Sequence, residues 1–327
     1  MAGGFMIYPL SEIKPIADKT GFNIYVVEKV VHLLNLLNMI NSHPVLKGKL
    51  ALKGGTALNL FIFDMPRLSI DIDLNYIGAL DLQEMTTDRP KIDQALTAVF
   101  QREGFIIKRE PVEHAGGKWR LNYRSCMGES ANLEVDLNYM FRQPLWDVTS
   151  KDSHRLGNFQ AKNIPVFPVC ELFAGKLAAL FSRHQTRDLF DAHQLLNYDK
   201  KIDLKDLRLA FIVYGAMNRK DWRTNSLEDI SFDSVELKQQ LFQVLRLEEK
   251  DGVDRFGQSL VQECQQKLSC IFPLLPHEIK FLKLIREKGE IEPSLLTKDN
   301  DLQERIKRHP MLLWKAMNTR KYFEIKE

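Results

Sequence analysis

The sequence predicts an α+β fold: a lobe with a mixed sheet flanked by helices, followed by an all-helical C-terminal lobe. Apolar and polar residues alternate with period two through 69–76 and 131–140, which is typical of strands. From 166 onward, apolar residues recur at helical spacing in nearly every segment. We therefore expect two domains, 1–165 with the sheet and an N-terminal helix, and 166–327 with helices.

The elements of the first lobe follow from local patterns in chain order. An amphipathic helix is expected at 21–41, and a short strand at 49–53 leads through a glycine turn into a helix that opens near Thr56. The next expected elements are a strand at 69–76, a helix from about 91 to 103, and strands around 105–110, 118–124 and 131–140.

The rest of the chain is expected to connect and complete the second lobe. The stretch 142–165 is polar and irregular, as is typical of a connection between lobes. Helical periodicity then predicts helices that include 226–247 and 276–288.

Length and composition restrict the class of protein. The chain has 327 residues, of which 44% are hydrophobic and 27% charged, so disordered and collagen-like classes are excluded. No apolar stretch approaches the roughly 20 residues of a membrane span, and the N-terminus lacks the pattern of a signal peptide. The four cysteines show no CxxC pair or metal-finger spacing. We expect a cytoplasmic protein without membrane association, disulfides or zinc.

Carboxylates gather on the predicted strands. Because successive strand side chains point to opposite faces, Asp71 and Asp73 share one face of their strand. Asp136 lies on the polar face of the strand at 131–140 and completes a three-carboxylate cluster if the two strands are neighbours. Such a cluster repels itself unless a cation lies within it, and hard oxygen ligands suit Mg²⁺, with Mn²⁺ as the alternative. The other interpretation is that these aspartates simply face solvent.

A glycine turn precedes the carboxylates. Gly54, Gly55 and Thr56 stand between a strand and a helix start, where free backbone N–H groups and the missing side chains admit a phosphate group. The turn predicts a site for the β- and γ-phosphates of a nucleotide. A plain helix-entry turn would have the same sequence.

Charged residues recur in the first helices of the second lobe, at Lys176, Arg183, Arg187, Asp188 and Asp191. Four of them fall within about 80° on a helical wheel, provided that no break intervenes near 185 and 186. The lysine interrupts an apolar face and needs an anionic partner, which is either a triphosphate or a nearby carboxylate.

Net charge is only +3, but basic residues cluster at 182–187, 305–309 and 319–326. Each cluster is either a phosphate-binding surface or a solvated helix face.

These motifs, in this order and spacing, resemble the AbiEii/AbiGii toxin family, which includes toxins of type IV toxin–antitoxin and abortive-infection systems. The resemblance rests on "LALKGGTALNLFIFDMPRLSIDIDLNY", "LEVDLNY" and "ELFAGKLAALFSRHQTRDLFDAHQLL", within about 20–200. It implies a polymerase-β-like nucleotidyltransferase lobe and transfer of a nucleoside monophosphate from an NTP, with release of pyrophosphate. The 16-residue separation of Gly55 and Asp71 is typical of this branch rather than of the wider superfamily.

The resemblance also implies roles for individual residues. The metal ligands would be Asp71, Asp73 and Asp136, and the last would also act as general base. The catalytic residues would be Asp71, Asp73, Asp136, Lys176 and Asp191, with Asp188 as the alternative to Asp191 and otherwise a structural partner of an arginine. The nucleotide-binding residues would be Gly54, Gly55, Thr56, Arg67, Ser69, Lys176, Arg183, Arg187 and Asp188.

The function expected from this family is a Mg²⁺-dependent nucleotidyltransferase toxin that modifies RNA, specifically the tRNA 3′ acceptor end, and inhibits translation and growth. Its partners would be an NTP, the RNA and a cognate antitoxin encoded nearby. Two alternatives stay open at this stage: a nucleotidyltransferase with a protein or small-molecule acceptor, and a non-catalytic binder of nucleotide or RNA.

Overall fold

The computed structural model describes residues 8–112, 115–198, 202–246 and 252–323. The chain divides into two compact units. The first comprises Met1–Arg142, Val148–Phe167 and Phe242–Lys250, and the second comprises Gln143–Asp147, Pro168–Leu241 and Asp251–Glu327. Each unit therefore contains segments that are distant in sequence.

In the part of the chain that the structure describes, the first unit is built on a seven-stranded mixed sheet. Its strands are β1 (Leu50–Lys53), β2 (Asp71–Tyr76), β3 (Ile106–Arg109), β4 (Gly116–Arg124), β5 (Ser130–Asn138), β6 (Thr149–Lys151) and β7 (Ile164–Val166). Their order across the sheet is β3-β4-β5-β2-β1-β7-β6. The β2–β5 and β1–β7 pairs are parallel, and the other neighbours are antiparallel. The predicted mixed sheet and its first five strands are confirmed.

The last two strands correct the prediction for 142–165, which expected only irregular chain. Each has three residues, too few for a period-two pattern to be visible in the sequence. They form because the fold brings Val166 opposite Leu52, so that β7 adds to the sheet beside β1.

Among the described residues of this unit, four helices accompany the sheet: α1 (Leu10–Thr20), α2 (Ile24–Ser42), α3 (Gly54–Ala57) and α4 (Leu82–Arg102). The helix predicted at 21–41 is α2. The helix predicted from 91 begins earlier, at Leu82, because the Asp81 side chain caps the first backbone N–H groups and Pro90 is accommodated inside the helix.

One sheet face is apolar and packs against helices. Trp119 of β4 lies edge-on to Phe100 of α4, with 6.0 Å between ring centroids, and Tyr123 lies 4.2 Å from His32 of α2. The fully buried strand residues of this face include Ile72, Leu121, Leu133, Val135 and Leu137. Side chains that alternate with these lie on the opposite, polar face.

The second unit is helical. Its helices are α5 (Val169–Arg183), α6 (Thr186–Leu196), α7 (Leu204–Ala216), α8 (Ser234–Glu236), α9 (Val253–Leu268), α10 (Pro276–Lys283), α11 (Asn300–Lys307) and α12 (Pro310–Tyr322). α5 packs against α6 and α7, and α6 packs against α9. None of the helices in the described ranges has the length and apolar character needed to cross a membrane.

The two helices predicted within the second lobe have different outcomes. The segment at 276–288 is helical throughout, because α10 continues as a π-helical turn over Leu284–Lys288. The prediction of one helix at 226–247 is wrong over 226–246, and residue 247 lies outside the described residues. Three short pieces replace the predicted helix, Leu227–Asp229, α8 and Leu237–Leu241, and Asp233 caps α8 as a new helix start.

Candidate active site

Four charged residues form a row across the polar face of the sheet. Asp73 of β2 lies opposite Asp136 of the parallel neighbour β5. On the outer sides of this pair, Lys53 of β1 lies opposite Asp73, and Lys118 of β4 lies opposite Asp136. Opposite positions in a sheet place side chains on the same face, so the row reads lysine, aspartate, aspartate, lysine.

A second row lies two residues along the same face. Asp71 of β2 is opposite Glu134 of β5, which is opposite Arg120 of β4. Lys118 joins the rows, because its Nζ lies 3.1 Å from a carboxylate oxygen of Glu134. The three aspartates predicted as one cluster therefore share one face of two adjacent strands.

Asp136 is the carboxyl group most affected by these surroundings. Its pKa is raised by burial and by the negative charge of Asp73, whereas Lys53 and Lys118 oppose the shift. Asp136 therefore accepts a proton more readily than an exposed aspartate.

The glycine turn lies against Asp73. Gly54 has φ of 72°, a left-handed conformation that favours glycine. A Cβ atom at this position would collide with the carboxylate of Asp73. Glycine therefore allows the backbone at the start of α3 to approach the acidic pair closely.

Buried side chains in the glycine turn and in the segment before β2, residues 67–70, stabilise this arrangement. The Thr56 hydroxyl is buried and donates to the backbone carbonyl of Asp71, so it ties the turn to β2. Arg67 is only 3% exposed and donates to the carbonyl of Leu68 at 3.0 Å, and Ser69 is also buried.

A buried ionic cluster lies in the second unit. Lys176 of α5 places its Nζ 2.8 Å from Asp188 and 2.9 Å from Asp191, both on α6. Asp188 also pairs with Arg183 at 2.8 Å. Burial tends to raise the pKa of Asp188, but Lys176 and Arg183 outweigh it and hold that pKa below its usual value. The carboxylate partner that the buried lysine needs is thus supplied from within the same unit.

The condition for one continuous helical face over 176–191, that no break intervenes near 185 and 186, is not met. The helix ends at Arg183, His184 adopts a left-handed backbone with φ of 53°, and α6 begins at Thr186. The two helices then pack together, so that both aspartates face the same lysine. Arg187 is half-buried, and no ion pair joins it to another described residue.

The basic clusters at 305–309 and 319–326 include residues with local partners. Arg305 pairs with Asp147 at 2.8 Å and with Asp301 at 3.1 Å. Arg320 donates to the carbonyl of Gly289 at 3.3 Å. Residues 324–326 lie outside the described residues.

The polar sheet face has the chemistry of a cation site. Its donors are hard carboxylate oxygens, and the Oδ1 atom of Asn75, two residues from Asp73, is buried without a hydrogen-bond partner among the described residues. No group of three or more His, Cys, Asp or Glu side chains in the described ranges is already arranged to hold a metal ion. The donors therefore suit a divalent cation, while the full three-aspartate ligand set stays a prediction.

The lysines beside the acidic pair were missed by the sequence analysis. Lys53 directly precedes the glycine turn, and Lys118 shares the period-two pattern of its strand with Arg120. Lys29 of α2 also lies within electrostatic range of Asp71, although burial lowers its pKa. The alternation alone could have indicated a polar face for β4, but not its position beside Asp136.

Comparison with protein families adds an independent observation to this geometry. The model of the family described as "Nucleotidyl transferase AbiEii toxin, Type IV TA system" matches residues 35–263. This chain belongs to that family. The AbiEii chain is therefore a nucleotidyltransferase of the toxin–antitoxin class, which confirms the resemblance and does not support a non-catalytic binder. The type IV assignment implies a nucleotide substrate and an antitoxin partner, and enzymes of this class generally use divalent metal ions.

Solved structures show the same fold. MenT4, a nucleotidyltransferase toxin from Mycobacterium tuberculosis H37Rv, superposes with a TM-score of 0.59 at 15% sequence identity. The match covers 92% of the AbiEii chain and 98% of MenT4. A search of curated protein sequences gave no match.

Proposed function

We propose that this AbiEii toxin transfers a nucleoside monophosphate from an NTP to the 3′-hydroxyl of an RNA, specifically the tRNA 3′ acceptor end, and so inhibits translation and growth. The observation that carries the proposal is the Asp73–Asp136 pair on adjacent strands, with the Gly54 turn against it. The NTP and tRNA acceptor indicate the cytoplasm as the place of action.

The glycine turn is proposed to hold the β- and γ-phosphates. The first N–H groups of a helix have no partner within the helix, so those of Gly54, Gly55 and Thr56 are available to phosphate oxygens. Arg67 and Ser69 are buried in the segment just before β2. In this proposal they support nucleotide binding by fixing the position of that segment.

The carboxylates are proposed to work with a divalent cation, Mg²⁺ with Mn²⁺ as the alternative. Asp71, Asp73 and Asp136 would hold it, and when bound it offsets the negative charge that develops on the leaving pyrophosphate. The hard oxygen donors and the raised pKa of Asp136 support this assignment, because a cation would relieve the repulsion between the two aspartates.

The reaction then follows from the order of groups across the sheet. The 3′-hydroxyl oxygen attacks the α-phosphorus, the new O3′–P bond forms, and the bond to the β-phosphate oxygen breaks to release pyrophosphate. Asp136 accepts the proton of the hydroxyl, because it lies on the side of Asp73 away from the glycine turn, where the acceptor is proposed to lie. Asp73 lies between Asp136 and the glycine turn, so it lies on the triphosphate side.

The ionic cluster of the second unit is proposed to contribute Lys176 to phosphate binding. Asp188 and Asp191 hold its Nζ from two sides, which fixes the ammonium group in one position. Of the two, Asp191 is the proposed catalytic carboxylate. The pair of Asp188 with Arg183 supports a structural role for Asp188. Arg183 and Arg187 are the further proposed phosphate-binding residues.

Incubation of the purified protein with each of the four labelled NTPs, Mg²⁺ and total RNA tests the proposal. We expect label in tRNA, none after chelation of the metal, and none with Asp73→Asn. Asp64→Asn is the matched control, because Asp64 lies in the same unit with a side chain that is 93% exposed. Equal labelling by Asp73→Asn and the wild type would contradict the assignment of the site.

The same experiment on a whole lysate separates the possible acceptors. Label in protein or in a small molecule, with none in RNA, would keep the nucleotidyltransferase reaction and replace the acceptor. Growth arrest on expression, relieved by Asp73→Asn, would link the transfer to toxicity.

A further inference from the structure

We propose that Arg109, Lys118, Arg120 and Arg124, here called the basic track, bind the phosphate backbone of the acceptor RNA on the polar face of β3 and β4. The inference rests on the proposed function and deepens it, because it assigns a surface to the acceptor.

The order of strands places the basic track on the acceptor side of the reaction. Gly54 approaches Asp73 from the β1 side, where the triphosphate is proposed to lie. Asp136, the proposed base for the 3′-hydroxyl, lies on the other side of Asp73, and Lys118 lies directly beyond it. An RNA whose 3′ end reaches Asp136 from outside the triphosphate site therefore lies over β4 and β3.

The spacing on β4 places three of these cations on one face. Lys118 and Arg120 occupy alternate positions of the strand, Arg124 follows on the same face beyond Asn122, and all three point to the same face as Asp136. Arg109 of β3 lies directly opposite Arg120, beyond a local shift in register. The cations thus extend from the acidic pair to the edge strand of the sheet.

These cations are exposed and mostly lack carboxylate partners. All four residues of the basic track are solvent-exposed. Lys118 pairs with Glu134, but no ion pair within the described ranges involves Arg109, Arg120 or Arg124. Glu134 of β5 lies directly opposite Arg120, and its carboxylate partly offsets the positive charge of that arginine.

Arg109 and Arg120 lie directly opposite each other, and their like charges repel when no ligand is bound. Like charges directly opposite each other on antiparallel strands destabilise the pair. A polyanion relieves this repulsion, and guanidinium groups bind phosphate oxygens through paired N–H donors. The arrangement therefore favours a phosphate backbone over a neutral ligand.

The test compares the full-length double variant Arg109→Ala/Arg120→Ala with the wild type, using total tRNA as the probe. The matched control is Lys14→Ala/Lys19→Ala, which removes two exposed cations from α1 in the same unit. Arg109→Lys/Arg120→Lys keeps the charge and removes the paired N–H geometry.

We expect the alanine variant to raise the KM for tRNA about tenfold and to reduce the slope of log Kd against log[salt] by about 1.5, since each lost phosphate contact removes about 0.7–0.9. The KM for the NTP should not change, and the lysine variant should recover the salt slope. The control variant should behave as the wild type.

The outcomes separate this inference from the proposed function. If the wild type labels tRNA and the alanine variant keeps the wild-type tRNA KM and salt slope, the basic track is wrong and the function stands. If the wild type labels only protein, both the proposed RNA acceptor and the RNA-binding role of the basic track are contradicted. If the alanine variant loses binding of an acidic antitoxin while its tRNA KM is unchanged, the track is a protein-binding surface and the RNA assignment is overturned.

Discussion

Asp73 and Asp136 lie opposite each other on the parallel neighbours β2 and β5. Burial and the charge of Asp73 together raise the pKa of Asp136. The sheet register thus keeps two carboxylates close together although they repel each other. The glycine turn lies beside them, and a side chain at Gly54 would collide with Asp73. Sites that keep an unfavourable charge arrangement often do so for function.

Removing one charge of this pair should stabilise the protein and abolish its activity. We expect Asp136→Asn to increase the free energy of unfolding by up to about 1 kcal/mol, because like charges opposite each other destabilise a sheet. Urea denaturation without added metal measures this change, and the tRNA-labelling assay measures activity. Asp64→Asn should change neither quantity. A less stable Asp136→Asn protein would mean that hydrogen bonds of the carboxylate outweigh its repulsion.

Substitution of Gly54 should separate backbone strain from obstruction of the site. Gly54 and Gly48 have almost the same φ, 72° and 75°, but a Cβ meets Asp73 at Gly54 and nothing within 4 Å at Gly48. Both Gly→Ala variants should lose about 1–2 kcal/mol of stability from the left-handed backbone. Only Gly54→Ala should also lose nucleotide transfer.

Thermal denaturation and the transfer assay on the two glycine variants check this difference. Equal residual activity in both would show that the turn tolerates a side chain and that its closeness to Asp73 has no role in the reaction.

Removal of Lys176 and removal of Arg183 from the buried ionic cluster should change the free energy of unfolding by very different amounts. Lys176→Met leaves Asp188 and Asp191 buried without their shared partner, so we expect a loss of about 3–5 kcal/mol in the free energy of unfolding. Arg183→Ala removes a cation that is 55% exposed, and its effect should stay below about 1 kcal/mol.

Denaturant unfolding of both variants measures these stabilities. Lys176→Arg keeps the charge, and its KM for the NTP tests the phosphate-binding role apart from folding. A stable Lys176→Met protein with a strongly raised KM for the NTP would mean that nucleotide binding, rather than structure, is the main role of the lysine.

Glu171 should make the stability of the second unit depend on pH. It is buried in α5, where it accepts hydrogen bonds from the backbone N–H groups of Leu145 and Trp146, at 2.9 and 3.2 Å, and from the hydroxyl of Tyr214 at 3.0 Å. Burial raises its pKa from 4.5 to about 7, although these hydrogen bonds oppose the shift.

Because the folded-state pKa is raised, the contribution of Glu171 to stability is fully present below about 4.5 and is lost as the pH rises through about 7. Glu171→Gln keeps an acceptor for both N–H groups and cannot ionise. Between pH 4.5 and pH 8 its free energy of unfolding should gain about 3 kcal/mol relative to the wild type. Denaturant unfolding at the two pH values checks this, and parallel pH profiles for both proteins would contradict the prediction.

Much of the fold could be predicted because its signals are local. Alternation defined the face of Asp71 and Asp73, and helical periodicity defined α2. The strands within the stretch 142–165 could not be predicted from alternation, since β6 and β7 are short, β7 forms by pairing with β1, and β6 forms by pairing with β7. The sequence left open whether a break interrupts the helix near 185 and 186, because the charges on both sides of it fit one helical wheel.

The sequence by itself determined the parts of the site that depend on neighbouring residues: the spacing of two aspartates on one strand face and the glycine turn before them. Only the tertiary structure decided that Asp136 lies opposite Asp73, that Lys118 lies beyond it, and that Asp188 and Asp191 share Lys176. The physical reason is that strand order and helix packing depend on contacts between segments far apart in the chain, and local alternation carries no information about which strand becomes the neighbour.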